Sequence, residues 1–487
     1  MIVDIMFILI DDCIKKRIMQ NKKAYVWSLT GKILPQVIYL VTTMLLARFL
    51  TPDDFGILGV LTIFIMVANM LVEAGFGGSL INEKVLQEKD CSTVFTFSLV
   101  TSLLLYGVMF VSAPFIETFY KTEGLTDVVR VLCLVFVISA FQVVPSSILV
   151  KELKFDRLTI IRIVAVVFAS LSSLAIAYIY RNVYALVAFQ LVQALVYAVL
   201  VNFKLGYKFT LSFRYDCFKR LFSFGFYTTL SNVIDTIYEN LLATIFGKAL
   251  SIQQAGYLTQ AKRLEESSTQ TITQTINATS FPILTKKKDS PSDFQKEANA
   301  IFRFAVRMIT PLMLVLVLYS EPIITLLFGK EWKASAPYLS LLSIAGIIII
   351  METLNRTFIK SLGKVSSLFV VSLIKRGLGV LILLGCVFVD ITTIMYGYIA
   401  SSVLAYLMNQ WLYCKHLKTS YLLSLVHVVR CFIPSIVFLI INIAVFYQTD
   451  IFLYRAISTV ALLLIYYYLT NRAVINNLVL TKIRKGS

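Results

Sequence analysis

Long apolar stretches recur along this 487-residue chain, each separated from the next by a short polar break. Each stretch is about 20 residues long, the length at which an α-helix spans the hydrocarbon core of a bilayer. Hydrophobic residues make up 58% of the sequence and charged residues only 15%, a composition that a soluble fold could not keep from aggregating. The pattern predicts an all-α polytopic membrane protein.

The stretches predict about 14 transmembrane helices. All are bounded by polar or charged residues, and they run over 28–49, 55–73, 92–113, 126–149, 158–180, 183–203, 221–247, 254–281, 299–319, 334–354, 366–389, 391–413, 427–447 and 451–471.

Short segments of the first half recur in the same order in the second half. LLA at 45–47 and FGIL at 55–58 are echoed by LLA at 241–243 and AGYL at 255–258. Two six-helix lobes that enter from the same side of the membrane form a parallel repeat, with a functional cavity between them. The predicted organisation is an amino-terminal extension at 1–27, lobes at 28–204 and 205–415, two further helices within 416–471 and a basic tail at 472–487.

The net charge of +18 sits mainly in alternate loops. By our assignment roughly 30 of the 45 Lys and Arg residues fall on one side, which is the positive-inside asymmetry with both termini cytoplasmic. Clusters on that side include 15–17, 22–23, 151–157, 286–288 and 482–485. This distribution argues against nucleic acid as a partner and favours the lipid bilayer.

Features of catalysis, cofactor binding and secretion are missing from the sequence. There is no P-loop, the two histidines lie near the cytoplasmic face without a catalytic partner, and the outside loops are too short to carry an enzyme site. The start of the chain is too acidic for a signal peptide, and either Met1 or Met19 fits as the initiator. We expect neither disulfides nor metal sites nor cofactors, because the seven cysteines are scattered as small buried side chains. Transport is favoured over catalysis.

The span predicted over 254–281 is unusually polar, with charged residues and a long Ser/Thr/Gln face. Charged groups within a bilayer are costly and are functional or paired by default. This span carries Lys262, Arg263, Glu265 and Glu266. In the preceding span, Asp235 and Glu239 share one face, and Glu239 lies about as deep as Lys262. These charges either line a transport cavity or form a salt-bridged lining without a substrate role.

Further cations lie inside other predicted spans. Lys375 and Arg376 are roughly ten residues from the cytoplasmic end of their span, hence about 15 Å deep and close to the midplane. Arg162 and Arg307 lie about a turn or two into theirs, where the alternative is a side chain that extends to the interface. Glu352 and Arg356 have the spacing of an ion pair on one helix.

Four motifs then identify a family resemblance, namely LARFLTPDDFG at 46–56, EAGFG at 73–77, AGY at 255–257 and LFGKEW at 327–332. Together they resemble polysaccharide exporters of the O-antigen and colanic-acid flippase type, in the multidrug/oligosaccharidyl-lipid/polysaccharide exporter superfamily. The resemblance implies twelve core helices in two lobes, two further carboxyl-terminal helices, and movement of an undecaprenyl-diphosphate-linked oligosaccharide across the bacterial cytoplasmic membrane. It also implies polysaccharide polymerase and export machinery as partners.

A lipid-linked sugar presents a charged diphosphate and a polar glycan, so its cavity needs cations together with hydroxyl and amide groups. The candidate substrate cations are Lys375, Arg376, Lys262, Arg263, Arg162 and Arg307. The candidate carboxylates, which would hold the cations apart or carry a coupling ion, are Asp235, Glu239, Glu265 and Glu266. The alternatives are a multidrug and toxin extrusion type exporter, which needs a more acidic cavity, and a scaffold without cargo. The sequence leaves open which glycan is carried, which ion is coupled and the oligomeric state.

Overall fold

The computed structural model describes residues 22–83, 86–205, 210–448 and 452–470, which are helical or in short connections. The predicted extension up to residue 21 and the basic tail at 472–487 lie outside these residues. The helices, numbered in chain order, are α1 (Lys22–Leu46), α2 (Pro52–Glu73), α3 (Phe76–Asn82), α4 (Glu88–Tyr120), α5 (Leu125–Leu132), α6 (Leu134–Lys151), α7 (Phe155–Tyr180), α8 (Tyr184–Leu205), α9 (Tyr215–Ala249), α10 (Ile252–Lys286), α11 (Pro291–Leu318), α12 (Ser320–Leu327), a 3₁₀ helix at Lys330–Ser335, α13 (Ala336–Ser361), α14 (Val365–Cys386), α15 (Ile391–Leu417), α16 (Tyr421–Gln448) and α17 (Phe452–Thr470).

The all-helical polytopic membrane fold predicted from the sequence is confirmed. Within the described ranges, ten helical segments are long and apolar enough to cross a bilayer, and Ile33–Leu46 and Ile457–Thr470 are shorter apolar helices. The polar helices α9 and α10 fall outside both groups, although each is 35 residues long. Large apolar side chains such as Val111 and Phe203 face outward, as expected of helices whose solvent is lipid.

The chain divides into two compact units. Unit N comprises Lys22–Arg263 together with Ile324–Ser335, and unit C comprises Leu264–Ile323 together with the described chain from Ala336 onward. The division falls inside α10, between Arg263 and Leu264. In unit N, α7 packs against α1 and α8, α6 packs against α4 and α8, and α2 packs against α9.

The turn between α1 and α2 is fixed by a capping box. Thr51 is the N-cap of α2, its backbone N–H donates to Asp54 Oδ2 at 2.9 Å, and its side chain accepts from the Asp54 backbone N–H. Pro52 follows at the first helical position, where its missing N–H has no cost. At Gly56 a side chain would collide with the Ile252 carbonyl, and at Gly256 with the Pro52 carbonyl, so the backbones of α2 and α10 meet directly here.

The segment Ile324–Ser335 is held in unit N by Trp332, whose side chain is fully buried. Its indole N–H donates to the Ala47 carbonyl at 2.9 Å, and its ring meets Phe55 edge-on at 5.2 Å and Tyr257 at 6.0 Å. Arg48 donates to the Leu326 carbonyl at 2.8 Å. Residues of three of the four sequence motifs therefore meet at one packed corner.

In unit C, α15 packs against α13 and α14, and α11 packs against α13 and α16. Hydrogen bonds attach the last helix to the rest of the unit. Tyr467 donates to the Met308 carbonyl at 2.7 Å, and the hydroxyls of Tyr319 and Thr459 lie 2.7 Å apart. Such bonds between polar side chains help helices to associate where no hydrophobic force acts between them.

Candidate functional site

A polar cavity of about 510 Å³ lies within unit N, among α1, α2, α6, α7 and α8. Two helices contribute rows of polar side chains at helical spacing, Ser139, Gln142 and Ser146 on α6 and Gln190, Gln193 and Tyr197 on α8. Such spacing keeps the members of each row on one face of the helix. A cavity of this volume falls within the range of about 300–1,000 Å³ found for small-molecule sites.

Some polar groups of the cavity are fixed by the protein itself. The Gln142 side-chain amide donates to the Ala194 carbonyl at 2.8 Å. The hydroxyls of Ser146 and Tyr197 lie 3.1 Å apart. These contacts join α6 to α8 and hold the wall of the cavity in place.

Other polar groups of the cavity have no partner among the described residues. Arg162 on α7 and Glu73 on α2 both line the cavity, both are exposed, and neither forms a hydrogen bond or ion pair with a residue that the structure describes. The amides of Gln190 and Gln193 are likewise free, and Asn69 Oδ1 is buried without a hydrogen bond. A buried polar atom such as Asn69 Oδ1 is costly unless water or a ligand satisfies it.

Lys375 lies in a separate buried cluster in unit C. Its ammonium group is ion-paired with Glu352, and the two side chains are 0% and 7% exposed. Asn409 donates a further hydrogen bond to Glu352 Oε1 at 2.7 Å. Arg356 and Arg376 add positive charge near the same carboxylate, so the predicted Glu352–Arg356 pair is part of a larger group. The cluster joins α13, α14 and α15.

The structure brings Lys262 against Glu239, as their matched depth predicted. Lys262 Nζ donates to the main-chain carbonyl of Glu239 at 2.6 Å. The Arg263 guanidinium stacks near Tyr39 and Phe55, with its central carbon 5.5 Å and 5.6 Å from the two ring centroids. These cations contact α9 and the aromatic residues of unit N.

The remaining predicted site residues are spread over both units. Glu265 is buried against Gly346, and Arg307 Nη1 donates to the Thr470 carbonyl at 3.4 Å. Asp235 and Glu266 are half-buried. Of the predicted cations, Arg162 is the one that lines the unit N cavity. The roles of the others in substrate binding or ion coupling stay predictions.

The sequence analysis did not predict the uncharged residues of the cavity, nor Glu73, as site residues. Gln190, Gln193 and Tyr197 follow the i, i+3, i+7 pattern of one helix face inside an otherwise apolar span, and Asn69 and Glu73 are four residues apart on α2. That spacing was a usable signal, because a polar stripe in a membrane helix must face a wet space or a polar neighbour.

A family described as polysaccharide biosynthesis protein matches residues 45–337. The teichuronic acid biosynthesis protein TuaB of Bacillus subtilis is 26% identical over 410 residues, which cover 82% of this chain and 83% of TuaB. The succinoglycan biosynthesis transport protein ExoT of Rhizobium meliloti is 22% identical over 357 residues, covering 72% of this chain and 71% of ExoT.

Solved structures share the fold. The lipid II flippase MurJ, in an inward closed conformation, superposes with a TM-score of 0.74 over 93% of this chain and 100% of the MurJ chain. The sequence identity of this pair is 13%, so the likeness concerns the fold alone.

Proposed function

We propose that this chain is a flippase. It belongs to the polysaccharide biosynthesis protein family of the multidrug/oligosaccharidyl-lipid/polysaccharide exporter superfamily. It is a multi-pass membrane protein and a transporter of polysaccharide biosynthesis. The proposed cargo is an undecaprenyl-diphosphate-linked oligosaccharide repeat unit. The chain moves it from the inner to the outer leaflet of the bacterial cytoplasmic membrane, for the synthesis of O-antigen, capsule or exopolysaccharide.

One observation carries this proposal, the polar cavity among the apolar helices of unit N, in which Arg162 has no partner among the described residues. An oligosaccharide cannot cross hydrocarbon without replacing its water contacts. A cavity lined by a guanidinium, amides and hydroxyls supplies those replacements within the membrane-spanning helices. The polyprenyl tail needs no such lining, because it stays in lipid.

The proposed architecture specifies the number of transmembrane helices and the bounds of the two lobes. It has about 14 transmembrane helices, with α9 and α10 crossing the membrane despite their polar faces, because each exceeds the length needed to span the bilayer. The proposed lobes at 28–204 and 205–415 are followed by two helices within 416–471. Both termini are cytoplasmic, and the transporter hands its product to a polysaccharide polymerase and export machinery.

The proposed diphosphate ligands are the cations on the spans. Arg162 binds the diphosphate first, because it has no partner in the described part of the chain. As the cargo moves, further cations bind its diphosphate, namely Lys262, Arg263, Arg307 and Arg376. Lys375 binds the diphosphate once the lysine has left Glu352. Asp235, Glu239, Glu265 and Glu266 hold these cations apart or carry a coupling ion. Rocking of the two lobes gives alternating access, the mechanism that repeat architectures of this kind support.

The test is the movement of a labelled polyprenyl-diphosphate oligosaccharide between the leaflets of liposomes that contain the purified protein. We expect movement with the native protein and a loss of about tenfold or more with Arg162→Gln, because a hydrogen bond to a charged group contributes about 1.5–3 kcal/mol. Arg157→Gln is the matched control, since Arg157 is exposed on the same helix and does not line the cavity.

Two results would contradict the proposal. Normal movement with Arg162→Gln would remove the cavity from the mechanism. Failure of the native protein to move any lipid-linked sugar, together with uptake of a cationic dye against a proton or sodium gradient, would establish the multidrug exporter function in its place.

A further inference from the structure

One part of the unit N cavity has a chemistry that a diphosphate does not require. Phosphate oxygens only accept hydrogen bonds, and cations recognise them most strongly. The faces of α6 and α8 present instead amide and hydroxyl groups, which both donate and accept. This is the pattern that matches sugar hydroxyls, each of which is also a donor and an acceptor.

The part of the cavity lined by the amide and hydroxyl groups of α6 and α8 is elongated, and contacts within the protein hold its wall in place. From Ser139 to Ser147 the cavity follows α6 for eight residues, about 12 Å at the rise of an α-helix. Gln142 and Tyr197 are held by their contacts with Ala194 and Ser146. Gln190 and Gln193 project from the same α8 face without a partner among the described residues. A fixed wall with free amides in it is suited to a rigid ring with several hydroxyls.

The cavity lining carries one positively charged and one negatively charged side chain. Arg162 and Glu73 both line it, and neither is paired with any described residue. A carboxylate is a strong acceptor for a pair of neighbouring hydroxyls, but it repels an anionic sugar within the same low-dielectric space. Once the Arg162 guanidinium binds the diphosphate of the cargo, Glu73 is the remaining charge of the lining, and it favours a neutral sugar over a uronic acid.

We propose that this cavity is a glycan subsite that binds a neutral hexose or N-acetylhexosamine of the cargo, through Gln190, Gln193 and Glu73. The subsite rests on the proposed flippase function and adds to it the class of sugar that is accepted. Arg162 binds the diphosphate beside this sugar, and the amides bind the sugar itself.

The test uses two probes in the same liposomes, a polyprenyl diphosphate that carries neutral sugars with a photoactivatable group on the glycan, and a sugar-free polyprenyl diphosphate. In the native protein we expect the glycan to cross-link to α6 and α8. In Gln190→Leu/Gln193→Leu we expect both cross-linking and glycan movement to fall about tenfold or more, while binding of the sugar-free probe is unchanged. Gln190→Asn/Gln193→Asn, which keeps the amides, should regain part of the movement.

Gln253→Leu is the matched control, because Gln253 is an exposed glutamine of unit N that does not line the cavity. Full movement of the glycan probe in the double Leu variant would overturn the subsite, as would equal losses for both probes or native cross-links confined to other helices. In each of these cases the native protein still moves its cargo, so the flippase function stands. Failure of the native protein to move either probe would overturn that function and the subsite with it.

A second arm tests the sugar class. With a probe whose first sugar is a uronic acid, we expect movement by the native protein about tenfold slower than with the neutral probe, and Glu73→Gln should narrow this difference. Equal movement of the two probes by the native protein would overturn the preference for neutral sugars.

Discussion

Lys375 on α14 and Glu352 on α13 form an ion pair that is almost wholly enclosed by unit C. Asn409 on α15 completes it with a hydrogen bond to the carboxylate. Lys375 is therefore not available to a ligand until it leaves Glu352. The contribution of this ion pair to stability can therefore be measured separately from any contribution of Lys375 to transport.

Lys375→Met should destabilise the protein by about 3–5 kcal/mol, because it leaves the Glu352 carboxylate buried without its cation. The double variant Lys375→Met/Glu352→Leu should regain most of this loss, since replacing both charges with apolar groups is often neutral. Thermal unfolding of the detergent-solubilised protein measures both. A double variant no more stable than Lys375→Met would show that the pair does not act as a unit. Transport by the double variant then decides whether Lys375 also serves the cargo.

Trp332→Ala should cost about 3–5 kcal/mol, because it empties a fully buried ring position between Phe55 and Tyr257. Trp332→Phe should cost less, with about 1 kcal/mol from the lost hydrogen bond to Ala47. The control is Trp411→Ala, a ring that is 49% exposed. Equal shifts of the unfolding temperature for Trp332→Ala and Trp411→Ala would argue against this role of Trp332.

Gly256→Ala should destabilise unit N by about 1–3 kcal/mol, because its new methyl group would meet the Pro52 carbonyl and push α2 from α10. Gly107→Ala serves as the control, since no neighbour lies within 4 Å of a side chain there and alanine favours a helix. The same unfolding assay compares them. An unchanged unfolding temperature in Gly256→Ala would mean that stability does not depend on the direct contact between α2 and α10.

Asp390 provides a pH test outside the apolar spans. It is the N-cap of α15, and its hydrogen bonds with Thr393 hold the pKa of its carboxyl below the ordinary value. The depressed pKa means that its stabilisation is present above the unfolded pKa and is lost as the pH falls through the folded pKa. Asp390→Asn should therefore reduce the loss of stability in acid, measured as the unfolding temperature between neutral and acidic pH. An unchanged acid profile would show that the cap makes no pH-dependent contribution.

Local patterns in the sequence predicted the helices well. The apolar runs placed the long helices, because span length and hydrophobicity are local properties. Predicted ends differ from the observed ones by up to eight residues, and the span predicted over 126–149 consists of two helices, α5 and α6. The contact of Lys262 with Glu239 also followed from counting residues on either side of one turn. Both inferences needed only positions along the chain.

Tertiary contacts account for what the sequence could not predict. Glu352 has Arg356 four residues away on its own helix, but the ion pair with Lys375 joins it to the next helix, and Arg356 adds positive charge near the same carboxylate. Only packing of α13, α14 and α15 brings these groups together. The unit N cavity likewise joins five helices, and its glutamines are inconspicuous one at a time. The charged residues of α10 stand out in the sequence, whereas single glutamines within apolar spans do not.

The motifs that identified the family have a structural explanation. LARFLTPDDFG, AGY and LFGKEW meet around the cap of α2 and the ring of Trp332. The residues that allow recognition of the family are thus mainly those that build a corner of unit N. Residues of these three motifs do not line the cavity, whereas Glu73 of the fourth motif, EAGFG, does.

The short segment Ile324–Ser335 belongs to unit N, whereas the chain on both sides of it belongs to unit C. From Lys22 onward the polypeptide therefore passes between the units three times, and no single cut in this part of the chain separates them. A chimera of two related exporters, joined once within α10, would set the Trp332 of one parent against the Ala47 and Phe55 of the other. Exchange of whole units between relatives requires three crossover points, or a matched tryptophan pocket.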